Sequence, residues 1–274
     1  MTPDEQRIGV LGIPVDANSS HLRGCAAGPG AIRAALHSGS GNDVTEHGVT
    51  VVPRLDDLGA VPVSNQAGSA ADADLITATV GEHLDAGRRL VVLGGDHSVT
   101  YPVLRAVGAR HQGLTVVHVD AHPDLYDDLD GNPLSHASPF ARALEDGCLS
   151  RLIQLGIRTA TAHQRAQAER WGVETHPARD LSGFDPTSIT GPIYVTIDLD
   201  GLDPGVAPGV SHHEPGGLSV REVLDVIDAL PPTIVGADVV ELNPTRDVVD
   251  MTAMIGAKLL KELAGAMLDP RTAR

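Results

Sequence analysis

Asp120, His122 and Asp124 stand at every second position of Asp120-Ala121-His122-Pro123-Asp124, and all three carry side chains that bind divalent cations. They follow Leu114-Thr115-Val116-Val117-His118-Val119, an apolar run rich in β-branched residues that predicts a buried strand. Alternate side chains on extended backbone share one face. Continued past Val119, that geometry brings the three residues to one point. Charged groups are costly to desolvate, so a carboxylate–imidazole–carboxylate cluster at a strand end is a place for a cation rather than a packing solution.

Three more strand ends carry residues of the same kind. Gly94-Gly95-Asp96-His97-Ser98 follows Leu90-Val91-Val92-Leu93, Asp198-Leu199-Asp200 follows Ile193-Tyr194-Val195-Thr196-Ile197, and Glu241 closes the run through Ala237-Asp238-Val239-Val240. Each motif alone also fits a helix cap or a turn anchor. Together, along the carboxyl edge of one parallel sheet, they argue for one site. The candidate metal ligands are His97, Asp120, His122, Asp124, Asp198 and Asp200. This set exceeds the needs of one zinc ion and suits two ions that share carboxylates. Oxygen-rich ligation with some imidazole and no thiolate favours Mn²⁺ over zinc or copper, with Fe, Co and Ni left open. Two such ions about 3.5–4 Å apart hold a shared water as hydroxide near neutral pH, a hydrolytic nucleophile that needs no Ser or Cys.

The elements that must position these residues alternate along the chain. Strands are expected at Ile8–Val15, Val49–Val52, Leu90–Leu93, Leu114–Val119, Leu152–Leu155, Ile193–Leu199 and Thr233–Leu242. Helices are expected at Gly28–His37, Asp72–Arg89, Val99–Arg110, Ser138–Glu145, His163–Trp171, Ser219–Leu230 (with Ser219 as N-cap) and Met251–Met267. Such alternation implies parallel strands joined by crossover helices. No linker, repeat or low-complexity tract divides the chain, so residues 1–274 are expected to form one α/β domain.

Composition narrows the partners. A net charge of −16 argues against nucleic acid and anionic membrane and is compatible with a cationic substrate. Cys25 and Cys148 lack the number for a disulfide framework and the spacing for a thiolate metal site. The acidic stretch Met1-Thr2-Pro3-Asp4-Glu5-Gln6 does not read as a signal peptide, and no run reaches the roughly 18 apolar residues of a membrane span. A reducing, cytoplasmic setting is the expectation.

With these motifs in order, the chain resembles the ureohydrolase family of arginases, agmatinases, formimidoylglutamases and related amidinohydrolases. The resemblance rests on Gly94–Ser98, Asp120–Asp124, Ser135-His136-Ala137-Ser138-Pro139-Phe140, Asp198-Leu199-Asp200-Gly201-Leu202-Asp203-Pro204 and Glu241-Leu242-Asn243-Pro244, spread over most of the chain. It implies a three-layer α/β/α fold with a mostly parallel sheet, assembly as a homo-oligomer (a trimer or hexamer), and two Mn²⁺ ions per subunit. Asp120 and Asp198 would bridge the ions, His97 and Asp124 complete one, and His122 and Asp200 the other. His136 would serve as proton shuttle, Asp124 would orient the attacking hydroxide, and Glu241 would meet the substrate guanidinium. The chemistry agrees: a guanidinium is planar, charged and rich in paired N–H donors, so a carboxylate is its natural partner. A departing amine needs a proton, and imidazole titrates near neutrality.

The implied reaction is cleavage of a guanidino compound to urea and an amine. Asn18-Ser19-Ser20-His21-Leu22-Arg23-Gly24, Ser135–Ser138 and Val210-Ser211-His212-His213-Glu214-Pro215 are similar to plant arginases, which puts arginine first, agmatine second and formimidoylglutamate third. Asn132 and Ser135 are candidates for hydrogen bonds to an amino-acid carboxylate, or ordinary turn residues. His212 and His213 either line the cleft or sit exposed on a loop. Animal-type arginases carry an Asp three residues beyond the Arg of Gly-x-Arg; here Gly156-Ile157-Arg158 runs into Thr159-Ala160-Thr161, so that contact is absent. A deacetylase of related architecture would keep one zinc site, and a non-catalytic relative would have lost ligands. All six stand.

Overall fold

Strands and helices alternate as the periodicity predicts, and every paired strand is parallel. The computed structural model describes residues 6–268, so Met1–Glu5 of the acidic N-terminal stretch lie outside the described residues. The strands are β1 (Ile8–Ile13), β2 (Leu55–Ala60), β3 (Arg89–Gly94), β4 (Thr115–Val119), β5 (Arg151–Ile157), β6 (Glu174–Pro177), β7 (Ile193–Asp198) and β8 (Ile234–Val240). The helices are α1 (Gly28–Leu36), α2 (Ala70–Asp85), α3 (Thr100–Gly108), α4 (Pro139–Glu145), α5 (Ala162–Trp171), α6 (Val220–Ala229) and α7 (Met251–Leu268). They surround one sheet of order β2-β1-β3-β8-β7-β4-β5-β6.

The central strands are apolar on both faces, as a sheet covered on two sides requires. In β3, Val91 and Leu93 join the core built with α1, α6 and α7, while Leu90 and Val92 join the core under α2, α3 and α4. This alternation makes three layers, helix on sheet on helix. Helix starts follow local chemistry. Ser69 accepts from the Asp72 N–H at α2, and full capping boxes pair Thr161 with Gln164 at α5 and Ser219 with Glu222 at α6. Among the described residues no helix is long and apolar enough to cross a membrane.

Two edge strands depart from expectation. Val49–Val52 is not a strand: Thr50 makes one isolated bridge to Val44, and Val52-Pro53-Arg54 forms a 3₁₀ turn. The strand comes next, as β2, whose Leu-Asp-Asp-Leu-Gly-Ala sequence has no β-rich signal because the edge position leaves it largely uncovered. The opposite edge, β6 (Glu-Thr-His-Pro), escapes detection for the same reason.

The carboxyl ends of β3 and β8 are drawn together by Gly95. Its N–H donates to Ile13 O (2.9 Å) and its carbonyl accepts from the Glu241 N–H (2.7 Å). A Cβ at Gly95 would lie 1.8 Å from Val15 O, so only glycine permits this approach. Gly95→Ala is therefore expected to destabilise the fold by about 2 kcal/mol or more, read as a drop in thermal midpoint. A midpoint within a degree of wild type, about the scatter of such measurements, would show that the backbone relaxes freely.

Candidate metal centre

The four central strands β3, β8, β7 and β4 are neighbours in the sheet, and each delivers chemistry at its carboxyl end. His97 sits on the 3₁₀ turn after β3, Asp198 ends β7, Asp200 lies on the following 3₁₀ turn, and Asp120 directly follows β4. The alternate-face expectation for 120–124 is corrected in its cause. The strand stops at Val119, and the ligand residues lie on irregular backbone that ends with Asp124 in the left-handed region (φ 50°). They converge because the loop curls over the sheet edge.

Convergence is tight on one side. His97 Nδ1 lies 3.2 Å from Asp120, 3.1 Å from Asp124 and 3.1 Å from Asp198, in each case from the Oδ2 oxygen. On the other, His122 Nδ1 lies 3.2 Å from Asp200 Oδ2 and 3.4 Å from Asp120 Oδ1. Asp120 thus faces both imidazoles with different oxygens. His97, Asp120, Asp124, Asp198 and Asp200 are buried, and His122 is half-buried at the cleft.

Electrostatics shows that the arrangement wants positive charge. Burial, reinforced by the charges of Asp200 and Asp120, pushes the Asp198 carboxyl well above the carboxylate range. Burial and the Asp120 charge hold Asp200 up to about 7. Burial pulls His97 down, yet the Asp120, Asp124 and Asp198 carboxylates beside its Nδ1 hold it well above the usual imidazole value, and His122 is pushed up to about 12 against burial, chiefly by Asp200. His97 Nδ1 is buried without a properly directed hydrogen-bond partner although three anionic oxygens surround it. A nitrogen ringed by three carboxylate oxygens is a donor set that could hold a divalent cation once the nitrogen gives up its proton.

The ligands are braced from behind. Gln154 Nε2 donates to Pro123 O (2.6 Å) and to His118 Nδ1 (3.1 Å). His118 therefore carries its proton on Nε2 and donates it to Asp120 Oδ2 (2.7 Å). Burial keeps His118 neutral by lowering its pKa. His97 Nε2 meets the Thr196 hydroxyl at 3.0 Å, which leaves Nδ1 for the carboxylates. His118 and Gln154 are the residues that sequence reasoning passed over. The signal was there, since His118, Asp120, His122 and Asp124 continue one period of two.

Over the centre opens a cavity of about 230 Å³, lined by Asp124, Asp198, Asp200 and His122 within and by Tyr126, Leu129, Thr159, Thr161 and Gln164 further out. His136 also lines it, with Nδ1 3.2 Å from Glu241 Oε1 and Nε2 2.9 Å from Ser20 Oγ. Burial opposes protonation of His136, but the Glu241 carboxylate raises it to about 9. Glu241 lies behind His136, 2 % exposed, with its backbone in the left-handed region (φ 65°). Against the effect of burial, His136 holds Glu241 down at about 2. Of the two loop histidines, His212 lines the cavity and stacks on His136, whereas His213 is used against Pro208 O (2.8 Å). Asn132 and Ser135 do not line it. Asn132 donates to Asn18 Oδ1 (3.1 Å) and accepts from the Leu134 N–H (3.0 Å), and Ser135 Oγ accepts from the Ala137 N–H (3.3 Å). In the structure these polar groups hold the loop.

The family model described as "Arginase family" matches residues 6–265. The chain is 46% identical to "Arginase 1, mitochondrial" of Arabidopsis thaliana over 93% of this chain and 79% of that relative. It is 37% identical to an N(1)-aminopropylagmatine ureohydrolase of Thermus thermophilus over 88% of this chain and 84% of the relative. The solved arginase of Medicago truncatula superposes with a TM-score of 0.89 at 43% identity, covering 96% of this chain and 88% of the other. The name of the Arabidopsis relative corrects the expected cytoplasmic setting, since it points to an organelle.

The raised Asp200 and His122 pKa values fix a pH dependence. Between pH 6 and 8 the metal-free folded state binds more protons than the unfolded chain, so its stability is expected to fall as pH rises across that window. A divalent cation replaces those protons and is expected to raise the thermal midpoint more at pH 8 than at pH 6. A metal effect independent of pH would contradict this electrostatic account.

Proposed function

The chain belongs to the arginase family, and within it we propose that this protein is an arginase, hydrolysing L-arginine to ornithine and urea. The observation that carries the reading is the pairing of buried carboxylates around His97 and His122 with the His136–Glu241 pair at the cavity wall. We assign the cations as two Mn²⁺, which His97, Asp120, His122, Asp124, Asp198 and Asp200 would hold. When bound, such ions supply a hydrolytic water at neutral pH and Lewis acidity.

The chain's own residues do the rest. Glu241 receives the guanidinium, whose planar N–H donors suit a carboxylate. In the resting arrangement the His136 imidazole holds that place at 3.2 Å, so substrate binding moves His136 off Oε1 while keeping it in the cavity. Water adds its oxygen to the guanidinium carbon, and Asp124, at the cavity floor, orients it. The bond from that carbon to the alkyl nitrogen then breaks with its electron pair on nitrogen; of the two protons the water releases, one reaches that nitrogen through Asp124 and the other replaces the proton that His136 gives the departing amine.

The tail of the substrate meets Tyr126, Thr159, Thr161 and Gln164, a lining of neutral hydrogen-bonding groups. A zwitterionic amino-acid tail satisfies its own charges there, whereas the lone ammonium of agmatine brings an unpaired charge into a partly enclosed space. Higher identity to the named arginase than to the named aminopropylagmatine enzyme supports the same order. By family membership we assign residues 1–274 to one domain and the assembly to a trimer or hexamer.

After Mn²⁺ reconstitution, urea release from L-arginine is expected to exceed release from agmatine, with no formamide from formimidoylglutamate. His136→Asn is expected to lower kcat by about a hundredfold and change its pH profile at full metal occupancy. Faster turnover of agmatine would replace the substrate assignment, and an unaltered pH profile would remove the proton role of His136.

A further inference from the structure

We infer that Cys25 is a positioning residue for Glu241: its thiol donates to Oε2 and, with Ser211 and Asn243 behind it, aims Oε1 at the incoming guanidinium. The inference rests on the reading of Glu241 as the guanidinium carboxylate.

The two oxygens of Glu241 are held differently. Oε1 accepts from the His97 N–H at 3.0 Å and faces His136 at 3.2 Å, on the cavity side. Oε2 points the other way, to Cys25 Sγ at 3.1 Å. Cys25 is 0 % exposed and opens the 3₁₀ turn before α1, far in sequence from Glu241, which directly follows β8. Its neighbours give the bond a direction. Asn243 Nδ2 donates to Ser211 Oγ (3.0 Å), so the Ser211 hydrogen is free for Cys25 Sγ (3.4 Å) and the thiol hydrogen for Glu241. Burial first, then the charge of Glu241, pushes the thiol far above its ordinary pKa, which keeps it a donor. Gly24 makes the contact sterically possible, because at φ 140° a Cβ would lie 2.2 Å from Asn243 Oδ1.

Without the thiol, Oε2 would be left unpartnered in a buried site and the carboxyl group would turn about its last torsion, a soft sp³–sp² rotor. The guanidinium would then meet a carboxylate pointing elsewhere. Cys25 and Ser211 touch no reacting atom, so their effect is on substrate binding rather than on the chemical step. His97 touches this chain of contacts through its backbone N–H, which donates to Oε1, so metal content is measured for every variant.

The test compares Cys25→Ala, Cys25→Ser, Ser211→Ala and Glu241→Gln as Mn²⁺-loaded enzymes, with KM and kcat for the guanidino substrate turned over fastest, and with metal content and thermal midpoint as controls. Cys25→Ala is expected to raise KM about tenfold with kcat changed less than about twofold, the loss of one hydrogen bond to a charged group. Cys25→Ser, which keeps a donor, is expected to restore KM to near wild type, and Ser211→Ala to move KM in the same direction as Cys25→Ala by less. Equal KM for Cys25→Ala and wild type, beside a raised KM in Glu241→Gln, would overturn the positioning role while leaving Glu241 in place. Equal loss in Cys25→Ala and Cys25→Ser would also overturn it, because packing rather than donation would then be at work. An unchanged KM in Glu241→Gln would remove the guanidinium reading and the inference with it.

Discussion

The crowding of Asp120, Asp198 and Asp200 is the constraint on which the rest of the structure depends. These carboxylates are buried within reach of His97 and His122, and burial together with their own charges drives Asp198 and Asp200 away from the ionised state. Left to itself such a cluster would spring open or fill with protons. It persists because four adjacent parallel strands fix the backbone from which the side chains depart. Strand order matters more here than strand length. The chain builds β1, β2 and β3 on one side, crosses to β4, β5 and β6, and returns with β7 and β8 between the two halves. Ligands far apart in sequence become neighbours only through that return.

Rigidity then passes outward through neutral donors. Gln154 fixes the tautomer of His118, which holds Asp120, while Thr196 turns His97 so that Nδ1 faces the carboxylates. On the other side Asp96 takes the backbone N–H of Asn18 and ties the Asn18–Gly24 loop to the turn that carries His97. The same loop brings Ser20 to His136 and Cys25 to Glu241. The His97 turn, His136 and Glu241 therefore share one support, and a distortion at the loop after β1 is felt at all three.

Much of this was legible in the sequence because it obeys local rules. Apolar strand runs and capping residues such as Ser219 depend on nearest neighbours, and the fold honours them, whereas the period-two spacing of 120–124 marks the right residues although the strand stops at Val119. What stayed hidden depends on tertiary position. β2 and β6 lack strand character because an edge demands little burial, and Val49–Val52 has that character without pairing as a strand. His118 looked like strand filling, since only the arrival of Gln154 from β5 shows which way its proton points. Asn132 and Ser135 allowed two readings, substrate donors or turn residues, and only the tertiary structure shows Asn132 bonded to Asn18 on the loop after β1 and Ser135 Oγ accepting from the Ala137 N–H.

Specificity lies where the strong electrostatics end. The inner cavity is fixed by charge: carboxylates, the imidazoles that face them, and Glu241 behind His136. A guanidinium is recognised there whatever is attached to it. The outer lining of Tyr126, Thr159, Thr161 and Gln164 offers only dipoles, and Gln164 spends its Oε1 on the Thr161 capping box. Neutral groups discriminate by unmet hydrogen bonds rather than by ion pairing. A tail that carries both charges can be matched donor to acceptor, while a lone ammonium finds no counter-charge on these outer groups. That outer lining comes from the loops after β4 and β5 and the start of α5, one layer above the buried carboxylate cluster.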